Sequence, residues 1–160
     1  MRFQENQKLA PWILWFIRLL SIGLIGISLW GFYQQVILGQ PFGDKPGPDW
    51  VFPFMFLLQA GIWWLFEKIQ LSTIIDSKGI RMHFFPFTKK NIRWSAIDKA
   101  EMINYGFVGG WGIRLGTKYG TVYNTKGKEG VWIHLKEGSK FVIGTQKKQE
   151  LEKVIRTYLP

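Results

Sequence analysis

Between Leu9 and Leu38 the chain carries a single charged residue, Arg18, and Leu19–Val36 (LLSIGLIGISLWGFYQQV) carries none. No other feature constrains the fold as strongly. A helix needs about 20 mostly apolar residues to cross about 30 Å of hydrocarbon, and this block exceeds that length. Trp12 and Trp15 mark one end and Trp30 and Tyr33 the other, the residue types that suit the headgroup level. Arg18 lies near one end and can snorkel to the nearer interface. The block is longer than the apolar core of a signal peptide, and no small-x-small cleavage site follows it, so a cleaved leader is not expected.

A second apolar segment, Trp50–Phe66 (WVFPFMFLLQAGIWWLF), is bounded by Asp49 and Glu67. It sits at the lower limit for a span. Asp49 is the expected N-cap, and Pro53 falls where a missing N–H costs little. Gln59 at mid-span calls for a partner on the first helix. Gly39–Asp49 (GQPFGDKPGPD), rich in Pro and Gly, reads as the turn joining two antiparallel helices. The expectation is a transmembrane hairpin over residues 1–68, with spans at about 12–37 and 50–67. Gly23, Gly26, Gly31 and Gln59 are the candidate helix–helix contacts.

Charge sets the orientation. Residues 1–68 hold 5 Lys/Arg against 4 Asp/Glu, a net of +1; residues 69–160 hold 16 against 7, a net of +9. Arg2, Lys8 and Arg18 flank the first span, and Lys68, Lys78, Arg81, Lys89 and Lys90 follow the second, whereas the loop between them has only Lys45. By the positive-inside rule both termini are expected in the cytoplasm, in a multi-pass cell (inner) membrane protein.

From residue 70 the hydrophobic period shortens to two. Gln70–Asp76 and Ile80–Phe87 read as strands around the turn Ser77-Lys78-Gly79, and Thr88–Lys90 as a second turn. Ile92–Ile103 holds one or two strands; Tyr119–Asn124, Gly130–Leu135 and Lys140–Gly144 supply more. At the end Leu151, Val154, Ile155 and Tyr158 share one helical face, with Thr145 as the expected N-cap. The sum is a cytoplasmic domain over 69–160, mainly β within an α+β chain. It has about seven strands in a bent antiparallel sheet, closed by a C-terminal amphipathic helix.

With IIDSKGIRMHFFPF, IRWSAIDKAEM, GGWGIR at 109–114, YN at 123–124, GVWIHL and FVIGTQKKQEL in place, residues 70–158 resemble the bacterial pleckstrin-homology-like domains that follow a membrane hairpin. The resemblance implies a seven-stranded sheet with a C-terminal helix; it does not imply a catalytic activity and brings no catalytic motif to carry over. Relatives in the wider superfamily hold phosphoinositides on a long basic loop between their first two strands. Here that loop is only Ser77-Lys78-Gly79, which argues against such a pocket.

Catalytic chemistry finds little support. With no cysteine there is no thiolate zinc site and no cysteine nucleophile. His83 and His134 lie far apart and read as strand residues. Gly106–Gly112 lacks the Gly-Lys-Ser/Thr ending of a phosphate loop and reads as a bend or bulge. The chain is therefore expected to be no enzyme, to need no cofactor and to bind no nucleic acid, its aromatics serving a small core. The weight falls on Lys78, Arg81, Lys89, Lys90 and Arg93 as contacts for anionic lipid headgroups or a protein partner. The expected role is a membrane-anchored binding or scaffolding module. Its partner would be the inner leaflet surface, another membrane protein or copies of itself. The alternative is a structural or accessory subunit of a membrane complex acting through the hairpin.

Overall fold

The computed structural model describes residues 1–159. Its chain divides into two compact units: residues 11–68, and residues 1–10 together with the chain from Ile69 onward.

The helical unit holds α1 (Pro11–Phe32), continued by a π-helical turn over Tyr33–Ile37, and α2 (Val51–Lys68). The helices are antiparallel. Arg18 meets Glu67 at one end, with 2.6 Å between guanidinium and carboxylate, and Gly31 abuts the Phe52 ring near the other. A β-carbon on Gly31 would run into that ring. Among the described residues one helix, Pro11–Ile37, is long and apolar enough to cross a membrane. At 1.5 Å per residue its 27 residues extend roughly 40 Å. The shorter α2, which includes Gln59, Glu67 and Lys68, falls below that mark. It starts at Val51, and Asp49 accepts a bond from Gln35 Nε2 (2.6 Å) in place of capping it.

The second unit is α+β, with nine strands where the sequence led us to expect seven. One sheet runs β1 (Phe3–Lys8), β2 (Gln70–Asp76), β3 (Gly79–Phe85), β4 (Thr88–Ile92), all antiparallel. The other contains β5 (Ile97–Asn104), β6 (Gly112–Thr117), β7 (Gly120–Asn124), β8 (Glu129–Leu135) and β9 (Lys140–Gly144), in the order β5-β8-β9-β7-β6. Three strands were not anticipated. Thr88–Lys90, read as a turn, opens β4; Gly112–Thr117 pairs with β7; and residues 3–8, assigned with the hairpin, form β1. Nor is the second sheet wholly antiparallel. The tight β8–β9 hairpin leaves the far edge of β9 open, and β7 pairs there in parallel.

The core follows from the two-residue period. Phe3, Leu71, Ile75, Ile80, Met82 and Phe84 point inward from the first sheet, and Val131, Ile133, Phe141 and Ile143 are buried in the second. Helix α3 (Lys148–Tyr158) adds Leu151, Val154 and Ile155. Its cap position is Lys147 and not the expected Thr145. The Thr145 hydroxyl instead accepts from the Lys147 N–H (2.9 Å) and donates to Glu5 (2.7 Å).

Strand β1 joins the fold through polar bonds. Its inward residues are Phe3, Glu5 and Gln7, all buried. Glu5 accepts from the Thr145 hydroxyl and from the Gln146 N–H (2.9 Å). Gln7 donates to the Gly144 carbonyl (2.8 Å) and accepts from the Thr125 hydroxyl (3.2 Å). These bonds satisfy groups that would otherwise be costly to bury. The Tyr158 hydroxyl donates to the Met1 carbonyl (2.6 Å), and its ring stacks on Trp94 at 4.9 Å.

Candidate functional site

Two surfaces stand out, one on each unit. On the helical unit it is apolar. Trp12, Trp15, Phe16, Leu19, Ile22, Ile27, Leu29 and Trp30 of α1, and Phe54, Leu57 and Trp64 of α2, are each more than half exposed. An apolar surface this continuous is what lipid, or another apolar helix, would cover. The residues of α1 turned inward are Ser21, Ser28 and Gly31, and α2 turns Gln59 inward. Gln59 thus lies buried as expected, whereas Gly23 and Gly26 are exposed with nothing within 4 Å of where a β-carbon would stand. The small-residue face takes in Gly31 and is offset from Gly23 and Gly26 because the 3.6-residue turn aligns 21, 28 and 31. Arg18, expected to snorkel alone, pairs with Glu67 and lies 5.2 Å from the Trp15 ring centre.

On the β unit the surface is the outer face of the four-stranded sheet, and strand register fixes its rows. Gln4, Ile74, Arg81 and Asn91 form one row; Asn6, Ser72, His83 and Lys89 the next; Lys8, Gln70 and Phe85 the third. The expected basic cluster is divided by this geometry. Arg81 and Lys89 share the outer face. Exposed Lys78 lies in the β2–β3 turn, and exposed Arg93 just beyond β4. Lys90 is on the opposite side, level with Met82, and places its ammonium 5.1 Å from the Phe141 ring centre. It belongs to the sheet's underside, because the residue after Lys89 must point the other way.

Arg81 is matched by Asp76 through an ion pair. The Asp76 carboxylate is held below its usual pKa, first by the Lys78 N–H (2.9 Å) and then by Arg81. Among the described residues no acid pairs with Lys8, Lys78, Lys89 or Arg93. The face is therefore positive, with one neutralised position.

Distance along the strands separates these cations. From Gln70, where the chain arrives from the helical segment, to Asp76 is about 20 Å at 3.3 Å per residue. A Debye length is about 8 Å at physiological salt. Lys8 and Lys89 lie toward the end of the sheet where the chain passes to the helices; Lys78 and Arg93 lie at the other end.

The glycine run 106–112 is a loop over the second sheet. Gly106, Gly109, Gly110 and Gly112 all have positive φ. The loop is tied by the Tyr105 N–H to Lys128 O (2.9 Å) and by the Gly112 N–H to Asn124 Oδ1 (3.0 Å). Tyr105 and Val108 pack with Val122, Val142, Tyr119 and Trp132 in a second small core on that side. The phenols of Tyr105 and Tyr123 have raised pKa values because burial penalises the phenolate.

Neither a family model nor a curated protein matches the chain.

Proposed function

We propose that this chain is a non-catalytic, membrane-anchored binding or scaffolding module. In this reading the helical segment crosses the bilayer twice and the basic β unit stays on the cytoplasmic face. A pleckstrin-homology-like origin fits a sheet unit that ends in an amphipathic helix.

One observation carries the topology. Strands β1 and β2 are hydrogen-bonded neighbours from Phe3↔Ile75 to Lys8↔Gln70, yet they flank the whole helical segment in sequence. Paired strands share one compartment. On this reading residues 11–68 cross an even number of times, and a crossing by α1 is answered by the return of α2. The Arg18–Glu67 pair and buried Gln59 support that return, since each gives a polar group of one helix a place against the other. The excess of Lys and Arg outside the short loop favours the cytoplasmic side.

Topology is tested by single cysteines, which the native sequence leaves unobstructed. Asp44→Cys is expected to react with an impermeant maleimide from the outside of right-side-out vesicles. Gln4→Cys and Ser139→Cys are expected to react only after permeabilisation. Labelling of all three from one side would end the two-crossing reading.

The outer sheet face, with Arg81 and Lys89, together with the far end of the sheet, with Lys78 and Arg93, is the contact surface for an acidic partner, either anionic headgroups or a protein. Full-length chain in zwitterionic nanodiscs is offered phosphatidylglycerol or phosphatidylcholine vesicles. At about 1 kcal/mol per well-placed cation, neutralising Lys78, Lys89 and Arg93 to Gln weakens binding to the anionic vesicles roughly 100-fold. Equal binding to both lipids would discard headgroups and leave a protein partner.

A second reading, an accessory subunit working through its helices, is favoured by the apolar cleft that Ser28, Leu29, Phe32, Phe52, Pro53 and Phe56 line. Replacing residues 11–68 by an unrelated helical pair abolishes activity on that reading and preserves it on the first.

A further inference from the structure

Among the described residues of the β unit, and apart from Met1, three large apolar side chains are exposed: Phe87 at 57%, Phe107 at 84% and Leu115 at 77%. Two of them carry no indication of what covers them. Phe87 does. Register sets Lys8 opposite Gln70 and Gln70 opposite Phe85, so the β3–β4 turn lies at the end of the sheet where both chain passages lead to the helical segment. Pro11 follows Lys8 by three residues, and Lys68 precedes Gln70 by two. The Phe87 N–H donates to the Phe84 carbonyl (2.8 Å), and the Phe87 ring lies tilted beside that of Phe84, 6.1 Å between centres. The turn thus exposes an aromatic ring, with Lys89 two residues on and Lys8 at the same end of the sheet. An exposed aromatic ring followed by a lysine is the composition of a segment that lies in the headgroup zone, the ring among upper acyl chains and the ammonium group on a phosphate.

We infer that the Phe85–Lys89 turn is a lipid-dipping contact, in which Phe87 enters the interfacial layer of the bilayer that holds the chain's own helices. The inference rests on the two-crossing reading and adds to it a third attachment that holds the β unit against the leaflet.

The test places one environment-sensitive fluorophore per molecule on Phe87→Cys, Phe107→Cys, Leu115→Cys or Ile22→Cys, each a side chain already exposed. The full-length chain is reconstituted in vesicles of phosphatidylcholine and phosphatidylglycerol, with nitroxide-bearing lipids at shallow or deep positions. The label at 87 is expected to emit at shorter wavelength than the label at 115, and to be quenched several-fold more strongly by the shallow nitroxide. The label at 22 is expected to respond best to the deep one. A label at 87 as unquenched as those at 107 and 115, with 22 still quenched, overturns the inference and leaves the two crossings standing. Absence of quenching at 22 as well overturns both.

Discussion

Gly120 stands at φ +85°, and a β-carbon there would collide with the carbonyl oxygen of Lys140. That carbonyl belongs to β9, the neighbouring strand, and cannot swing away like a flexible side chain. Gly138 has a similar φ of +92° but open space around it. The pair separates conformational cost from steric cost. Gly138→Ala is expected to cost about 1 kcal/mol, and Gly120→Ala about 3 kcal/mol or more, read as loss of thermal stability of the full chain in detergent. At the same scale, titration bounds the stable pH range. The Tyr105 and Tyr123 pKa values are raised above 10.0 in the fold, so their contribution is complete below that pH and is lost as pH rises through the raised values. Lys148, raised by its bond to Glu129, acts in the same direction. Asp76 is lowered below 3.8, so its contribution holds above that pH and is lost as pH falls through the lowered value. Tyr105→Phe should therefore reduce the alkaline loss and leave the acid limb unchanged, which a pH series of melting curves would register.

Elements differ in how openly the sequence declares them. Strands β2, β3 and β8 alternate apolar and polar residues, and α3 places Leu151, Val154 and Ile155 on one stripe, so both periods could be read directly. Strand β1 hid because two of its three inward residues are Glu5 and Gln7, whose burial depends on hydroxyls and carbonyls distant in sequence. Strand β4 hid because Thr-Lys-Lys is the composition of a turn, while its register is set by β3. The same blindness affected the site. The basic residues were visible, but that Lys90 turns from Lys89 required knowing that β4 is a strand. Two expectations follow for whole elements. Glu5→Ala removes the acceptor for the Thr145 hydroxyl and the Gln146 amide and should cost about 2–3 kcal/mol in denaturant unfolding. In the helical unit Gly31→Leu should lower the midpoint of detergent-induced unfolding by forcing α1 from Phe52, whereas Gly23→Leu should leave it unchanged.

On the scale of the whole molecule, the sequence is interrupted so that its sheet is not. Ten residues at the start and the chain from Ile69 onward build one β unit, and the helical segment is an insertion between neighbouring strands. Deleting residues 1–10 should accordingly do more than shorten a tail. It would strip β2 of one of its two partners, uncover Leu71 and Ile75, and turn the truncated product into aggregate, seen as loss of a monodisperse peak in size-exclusion chromatography.

The order of synthesis gives that interruption a further meaning. Residues 3–8 leave the ribosome before their partner, residues 70–76, which is still about 60 residues away. At roughly 5–20 residues per second the early strand waits on the order of 3–12 s, unmatched and holding a carboxylate it cannot yet bury. The whole apolar segment must be disposed of during that delay. If the apolar segment does cross the bilayer, a nascent chain in which it stalled halfway would keep β1 unpaired, so closure of the sheet would depend on completed insertion.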